Sequence, residues 1–130
     1  MSPNRISNLR IVLVDDHRDV RTYVGAFLRH LGAEVVIAEN AMEGFEAVKT
    51  YHPDLVLSDI TMHGRSGFDL LNDIRALGAN GGGEIPVIAM TALTTRAERA
   101  RILDAGFDAF LQKPFSPEAL VNTILGLLDE

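Results

Sequence analysis

Five short apolar runs alternate along the chain with five segments of helical periodicity, and no other feature limits the fold as strongly. The runs are Ile11–Val14, Val35–Ala38, Leu55–Asp59, Pro86–Met90 and Ala109–Gln112. Runs this short and this continuously apolar are typical of strands that are buried on both faces. Strands that alternate with helices form a mostly parallel sheet with helices on both sides. The sequence therefore predicts an α/β fold with a doubly wound, five-stranded parallel sheet and five helices.

Polar side chains mark where most of the predicted helices begin. The pairs are Asn40 with Glu43, Ser66 with Asp69, Thr95 with Glu98, and Ser116 with Pro117. These are N-cap patterns, in which a side-chain oxygen accepts a free N–H of the first helical turn. Residues 78–83 are rich in glycine, and we expect a flexible connection there. Their glycine run precedes a strand, whereas a phosphate-binding loop follows one, so we interpret it as a linker turn.

Length and composition indicate one domain and exclude several kinds of partner. The chain has 130 residues, and we expect residues 1–8 to form a short loose tail before a domain at 9–130. Cysteine is absent, which excludes disulfides and is compatible with a cytoplasmic location. We find no signal peptide and no run that could span a bilayer, so we expect no membrane partner. The formal net charge of -6 argues against nucleic acid, whose phosphates need a basic face.

Chemically useful side chains stand at the ends of four predicted strands. Asp15 and Asp16 follow the first strand, Asp59 ends the third, and Thr91 and Lys113 follow the fourth and fifth. Carboxyl ends of parallel strands share one edge, so these residues meet in one crevice if the first and third strands are neighbours. Clustered carboxylates repel one another unless a cation holds them, and oxygen ligands suit Mg²⁺. With an ammonium and a hydroxyl, they indicate a site for phosphoryl transfer onto aspartate.

Each of these residues also has an ordinary structural interpretation. Asp59 alone could serve as a helix cap or turn former, and Asp16 could cap the first helix. Thr91 could be only a strand residue, and Lys113 only a surface charge. The functional hypothesis rests on all of these residue types falling at successive strand ends.

Four segments around these strand ends carry a specific pattern of residues. They are Val14-Asp15-Asp16, Ser58–Met62 with Gly67 after it, Met90–Ala92, and Gly106–Phe115. In these segments the chain resembles the receiver domain of two-component response regulators, and the similarity covers about Leu9 to Leu128. The resemblance implies a flavodoxin-like receiver fold with strand order 2-1-3-4-5, in a single domain like that of the chemotaxis regulators.

The resemblance also implies a phosphorylatable switch. Asp59 would accept a phosphoryl group from a phosphohistidine of a histidine kinase or a histidine phosphotransfer protein. The carboxylates of Asp15, Asp16 and Asp59, with the backbone carbonyl of Thr61, would hold Mg²⁺, and Lys113 would pair with the phosphoryl oxygens. Such a protein is not a metabolic enzyme, since it catalyses only its own phosphorylation and dephosphorylation.

A conformational response is implied as well. Thr91 would move toward the phosphoryl group and Phe110 would turn inward, which would change the surface of the fourth helix, fifth strand and fifth helix. That surface would meet a downstream target protein. Phe110 has no hydroxyl, so the coupling would rest on packing alone. The bond between Lys113 and Pro114 is expected to be cis.

The chain departs from the family at His63, where proline is usual. Because Gly64 follows, we expect a less rigid loop. His63 either reaches the rim of the site, where it would influence loss of the phosphoryl group, or is a solvated loop residue. The other histidines, His17, His30 and His52, show no metal-ligand spacing.

Other functions stay open at this point. An aspartyl-nucleophile phosphatase of the haloacid dehalogenase type would need Asp-x-Asp after the first strand, whereas the chain has Asp15-Asp16-His17. A flavin-binding module would bring the carboxylates against the phosphate of FMN. A degenerate receiver would act unphosphorylated, as a protein-interaction module. The sequence ends at Glu130, just past the last predicted helix, which is compatible with a stand-alone receiver or with one cut from a longer protein.

Overall fold

The computed structural model describes residues 3–92 and 95–128 and confirms the predicted alternation of strands and helices. The strands are β1 (Arg10–Val14), β2 (Glu34–Ala38), β3 (Leu55–Asp59), β4 (Val87–Thr91) and β5 (Ala109–Gln112). The helices are α1 (Arg18–His30), α2 (Ala41–Tyr51), α3 (Gly67–Arg75), α4 (Arg96–Ala105) and α5 (Pro117–Leu128). The strands pair in parallel in the predicted order β2-β1-β3-β4-β5.

Helices cover both faces of the sheet, and this burial accounts for the continuous apolar strands. Alternate side chains of a strand point to opposite faces. In β1, Ile11 and Leu13 pack with α1 and α5, whereas Val12 and Val14 pack with α2, α3 and α4. All four have 0% exposure, and each such side chain stabilises the fold by about 1.5–3 kcal/mol. The strands are therefore fixed from both sides, and so are the residues at their ends.

The register of the sheet brings the predicted site residues to one edge. Val14 of β1 pairs with Ser58 of β3, so the residues that follow them, Asp15 and Asp59, stand side by side. The chain passes from β1 to β2 on one side of β1 and then crosses to β3 on the other side of β1. This reversal of strand order opens a crevice at the carboxyl ends. The expected neighbourhood of the first and third strands is thus confirmed.

The predicted caps of four helices are present. The side chains of Asn40, Ser66 and Thr95 accept hydrogen bonds from the N–H groups three residues later, and Ser66 forms a reciprocal capping box with Asp69. Ser116 Oγ accepts from the N–H of Ala119 at 3.0 Å. The cap position of α1 differs, because His17 occupies it without a capping hydrogen bond from its side chain.

The expectation of a loose tail is wrong for residues 3–8, which are the part of the tail that the structure describes. Pro3–Ile6 form a short 3-10 turn, and the side chain of Ile6 is fully buried with the apolar residues of α1 and α5. Arg5 Nη2 donates to the carbonyl of Leu128 at 3.0 Å, which ties this turn to the end of α5. A single apolar residue among polar neighbours carries no periodic signal, so the sequence did not reveal this contact.

The expected flexible connection at residues 78–83 is also wrong. Ala79–Gly81 form a 3-10 turn, and Gly83 is buried. Arg75 Nη1 donates to the carbonyls of Gly83 and Ile85 at 3.1 and 2.7 Å, so a guanidinium satisfies the backbone of this segment. The segment leads into the amino end of β4, at the edge opposite the crevice, as a linker turn should.

The bounds of three strands differ from the prediction by one residue. β1 and β2 each begin one residue earlier, and β4 begins at Val87 because Pro86 has no N–H to donate. Thr91 is the last residue of β4. Among the residues that the structure describes, none of the helices is both long enough and apolar enough to cross a membrane.

Gly67, the first residue of α3, packs directly against the end of β3. A Cβ atom at this position would overlap the backbone oxygen of Asp59 and lie 2.9 Å from the Cα atom of Ile60. The N–H of Gly67 donates to the carbonyl of Ile60 at 2.8 Å. This close approach folds the loop after β3 back onto the strand, so lack of space requires glycine here.

We expect Gly67→Ala to lower the free energy of unfolding by about 1–3 kcal/mol, because the added methyl group displaces the backbone of Asp59. Gly126→Ala in α5 is the matched control. Nothing lies within 4 Å of its Cβ position, and alanine should stabilise the helix by about 0.5–1 kcal/mol. Urea unfolding measures both changes. A Gly67→Ala protein as stable as the native chain would show that the loop yields without cost.

Candidate functional site

Three carboxylates converge at the carboxyl edge of the sheet. Asp15 and Asp59 are buried, with 0% and 4% exposure, and Asp16 is partly buried at the rim. Their side chains and that of His17 each offer a ligand atom, and these atoms all lie within 4.8 Å of one another. The structure therefore brings together the three acidic residues that the sequence placed at separate strand ends.

Lys113 enters the same crevice from β5. Its Nζ atom lies 2.8 Å from Asp15 Oδ2 and 3.3 Å from Asp59 Oδ1. Its backbone N–H donates to the carbonyl of Thr91 at 2.7 Å, which extends the pairing of β4 and β5 by one residue. The expected cis bond between Lys113 and Pro114 is present. Lys113 is therefore part of the site and not a mere surface charge.

The site has an excess of negative charge. Three carboxylates face one ammonium group, and two unit charges 4.8 Å apart repel by about 3–4 kcal/mol at an effective dielectric constant of about 20. Lys113 offsets part of this repulsion through its contacts with Asp15 and Asp59. The three carboxylates and the one ammonium group leave a net charge of about -2, which is the charge that a divalent cation neutralises.

Asp59 lies at the centre of this arrangement. Burial, and next the charge of Asp15, raise the pKa of Asp59 above its ordinary value, although Lys113 opposes the shift. The buried Oδ2 atom of Asp59 has no hydrogen-bond partner. Such an atom is costly unless a ligand or a reacting group engages it. Asp59 therefore presents one oxygen that is available for chemistry.

His63 reaches the rim of the site, which was one of its two interpretations. Its backbone N–H and its Nδ1 atom lie 3.0 and 3.1 Å from Asp16 Oδ2, while its ring is otherwise exposed. Burial alone would raise the pKa of Asp16. The hydrogen bonds from His63 and the nearby imidazoles of His17 and His63 outweigh burial and hold this pKa below its ordinary value. Asp16 therefore favours its ionised form.

His17 is the site residue that the sequence interpretation missed. Its Nδ1 atom lies 3.0 Å from Asp15 Oδ1, 3.2 Å from Asp16 Oδ1 and 3.9 Å from Asp59 Oδ2. The available signal was its position directly after two aspartates at a strand end. Ligand-spacing rules compare histidines along a helix or loop, so they do not detect a histidine that joins carboxylates from two strands.

The remaining predicted residues occupy three different environments. Thr61 lines an open cleft of about 440 Å³, together with Asp59 and Lys113. Thr91 is buried at the end of β4. Phe110 lies on β5 away from the carboxylates, partly buried against the apolar residues beneath α4. The structure thus places Thr61 at the cleft. It places Phe110 on β5, within the surface of α4, β5 and α5 where the sequence predicts a conformational response.

The donor set fits a hard divalent cation. Oδ2 of Asp59 and Oδ1 of Asp16 are buried and accept no hydrogen bond, and both belong to the acidic cluster. Carboxylate oxygens are the ligands that Mg²⁺ prefers in proteins. The side chains of Asp15, Asp16 and Asp59 could therefore hold the ion, and Thr61 lines the same cleft.

Comparison with known proteins gives the same picture. The family model of the response regulator receiver domain matches residues 11–125. The chain is 34% identical over 120 residues to the response regulator MprA of Mycobacterium leprae, which covers 92% of this chain and 51% of MprA. It is 33% identical over 119 residues to an uncharacterized 14.6 kDa protein of Leptolyngbya boryana, covering 92% and 89% of the two chains. The chain thus spans about half the length of its MprA relatives.

Solved structures share the fold over nearly the full chain. The receiver domain of the sensor histidine kinase PA1611 of Pseudomonas aeruginosa has a TM-score of 0.85 at 27% identity, covering 95% of this chain and 100% of that one. That structure has a magnesium ion coordinated in its active-site cleft. The chemotaxis protein CheY4 of Vibrio cholerae has a TM-score of 0.85 at 25% identity, covering 92% and 98%.

The raised pKa of Asp59 predicts a stabilising substitution. In the absence of divalent cations, Asp59→Asn should raise the free energy of unfolding near neutral pH, because it removes a buried charge that Asp15 repels. The folded protein binds the Asp59 proton more tightly than the unfolded chain does. The native protein should therefore regain stability relative to the variant as the pH falls through the raised pKa. Urea unfolding at several pH values measures the difference.

Mg²⁺ provides the second half of this test. At about 100 times its dissociation constant it should stabilise the native protein by about 2.7 kcal/mol, and it should stabilise Asp59→Asn less. Asp104→Asn, on the exposed side of α4, is the control and should behave like the native protein. An Asp59→Asn protein that is less stable than the native chain at neutral pH, without cation, would contradict this account of the site.

Proposed function

The chain belongs to the response regulator receiver domain family, and from that premise we propose that it is a phosphorylatable signalling switch whose acceptor is Asp59. The observation that carries this proposal is the buried Asp59 Oδ2 atom, which has no hydrogen-bond partner although Lys113 and two further carboxylates lie close to Asp59. A carboxylate held this way is a nucleophile beside charges that can stabilise phosphoryl oxygens.

The donor would be a phosphohistidine on a histidine kinase or a histidine phosphotransfer protein. An oxygen of Asp59 forms a bond to phosphorus while the bond between phosphorus and the donor's imidazole nitrogen breaks. The electron pair of that bond stays on the nitrogen, which the solvent then protonates. Lys113, within 3.3 Å of Asp59 Oδ1, stabilises the negative charge on the phosphoryl oxygens. The chain would catalyse only this step and the later hydrolysis.

Mg²⁺ is the cofactor that we propose for this site. The carboxylates of Asp15, Asp16 and Asp59 and the carbonyl of Thr61 would hold it. When bound, the ion supplies positive charge to the phosphoryl oxygens. Asp15 is also tied to Lys113, so it orients the ammonium group. Asp16 stays ionised because His63 and His17 lower its pKa against the effect of burial.

The groove beside the crevice is where we propose that the phosphohistidine partner docks. It is lined mainly by apolar residues, which are Val20, Tyr23 and Val24 of α1 and Pro114 and Phe115 after β5, and by the charged Asp19 and Lys113. Lys113 lines both this groove and the cleft that holds Asp59, so a partner seated there can present its imidazole to the acceptor. Tyr23 is 56% exposed although it is a large apolar side chain, which is typical of an interaction site.

The response would pass from Thr91 to Phe110 and alter the surface of α4, β5 and α5. Phe110 is only partly buried, so an inward turn would remove more of its ring from water. A downstream target protein would bind one of the two forms more tightly. We propose that the protein acts in this way in the cytoplasm. The family membership favours this function over the phosphatase and flavin alternatives.

The first experiment is intact mass after incubation with acetyl phosphate and Mg²⁺. We expect a single added phosphoryl group on the native protein, which is absent without Mg²⁺ and absent in Asp59→Asn. Lys113→Ala should slow phosphorylation by about a hundredfold, because the phosphoryl oxygens lose a fixed positive charge. Lys49→Ala is the matched control, since Lys49 and Lys113 are the two lysines of the chain. Lys49 lies exposed on α2 and should be dispensable.

Two results would contradict this proposal. Mass added to Asp59→Asn would place the acceptor elsewhere. A native protein that gains no mass from acetyl phosphate, nor from any of a panel of phosphorylated histidine kinases, would instead be the degenerate receiver that acts unphosphorylated.

The docking groove has its own test. Tyr23→Ala should slow phosphoryl transfer from a phosphorylated histidine kinase by at least about tenfold, since it removes an exposed aromatic anchor. It should leave phosphorylation by acetyl phosphate unchanged, because the small donor needs no groove. Tyr51→Ala, which removes the other tyrosine, is the control. Equal rates of transfer to Tyr23→Ala and the native protein would exclude this groove as the docking site.

A further inference from the structure

His17 has an arrangement that the proposed phosphoryl chemistry does not use. Its side chain is 67% exposed, yet its Nδ1 atom faces inward toward the carboxylates of Asp15, Asp16 and Asp59. Its backbone N–H donates to Asp15 Oδ1 at 2.8 Å, which fixes the residue beside the acidic cluster. The imidazole is therefore held where the acidic residues converge.

Helix capping does not explain this orientation. His17 occupies the N-cap position of α1, where a side chain ordinarily accepts an N–H of the first turn, but its side chain forms no such bond. The ring also does not provide a partner for Asp59 Oδ2, which lies 3.9 Å from Nδ1 and stays without a hydrogen bond. Two possible metal-ligand atoms, Nδ1 of His17 and the unpartnered buried Oδ2 of Asp59, thus face the same small space.

We infer that His17 is a nitrogen ligand of the divalent cation site and gives it a preference for transition-metal ions. An all-carboxylate site favours hard ions such as Mg²⁺, whereas imidazole binds Mn²⁺, Co²⁺ and Ni²⁺ with increasing strength. The ligand atoms of His17, Asp15, Asp16 and Asp59 lie within 4.8 Å of one another, so small side-chain movements bring all four within reach of one ion. This inference rests on the proposed cation site and adds its selectivity.

The same contacts allow an opposite role, which the experiment separates from this one. If Nδ1 carries a proton that it donates to Asp15 and Asp16, His17 occupies the place of a cation and competes with it. Removing a competitor would strengthen the binding of every divalent ion. Removing a ligand would weaken the binding of the ions that prefer nitrogen. The two roles therefore predict changes of opposite sign for Co²⁺.

The test is titration of the purified native protein with Co²⁺ and, separately, with Mg²⁺ at one fixed pH. Calorimetry measures both affinities, and the visible absorption of Co²⁺ reports its ligands. We expect His17→Ala to lower the Co²⁺ affinity by at least about tenfold and to leave the Mg²⁺ affinity nearly unchanged. The Co²⁺ spectrum should shift as an oxygen replaces the nitrogen ligand. His17→Asn, which introduces a favourable N-cap residue, should behave in the same way.

His30→Ala is the matched control. His30 lies exposed at the other end of α1, so this substitution removes only a surface imidazole. An unchanged ratio of Co²⁺ to Mg²⁺ affinity in His17→Ala would overturn the inference, and so would a rise in both affinities. A native protein that binds neither ion would overturn the cation site itself. Binding of Mg²⁺ by the native protein thus tests the site, and the affinity ratio tests His17.

Discussion

Repulsion among the carboxylates of Asp15, Asp16 and Asp59 is the constraint on which the chemistry of this protein depends. The parallel sheet places these groups at one edge, where two unit charges 4.8 Å apart repel by about 3–4 kcal/mol at an effective dielectric constant of about 20. Lys113 offsets part of this cost by contacting two of the three. A folded domain is stable by only about 5–15 kcal/mol, so the strain is a large fraction of the total. It makes the site receptive to a divalent cation, which neutralises the excess negative charge.

The rest of the fold keeps the carboxylates from separating. The sheet is buried on both faces, so neither β1 nor β3 can shift without exposing apolar side chains. Gly67 closes the loop after β3 onto the backbone of Asp59, and the N–H of Ile60 donates to the carbonyl of Met90 at 3.1 Å. His63 fixes Asp16 from the solvent side. Repulsion that would scatter these groups on a flexible loop is therefore stored at a rigid edge.

Features that repeat along the sequence were predictable. Strand and helix periods gave the sheet, and the residue types at strand ends gave Asp15, Asp16, Asp59 and Lys113, because parallel topology converts position along the chain into position in space. Single, non-repeating contacts were not predictable. Nothing in the pattern around Ile6 indicated its burial. His17 was considered only for metal-ligand spacing along the chain, which it lacks, although its Nδ1 atom lies near carboxylates that follow β1 and end β3.

The same sheet edge connects the site to the surface proposed for output. The N–H of Lys113 donates to the carbonyl of Thr91 at 2.7 Å, and Thr91 pairs with Gln112 in the register of β4 and β5. Phe110 pairs with Ala89 two residues earlier in the same ladder. A shift of the end of β4 toward Asp59 therefore cannot leave β5 in place without breaking these hydrogen bonds. In the proposed switch Phe110 has only packing to couple it, so the rigidity of this ladder would carry the signal that a hydroxyl would otherwise assist.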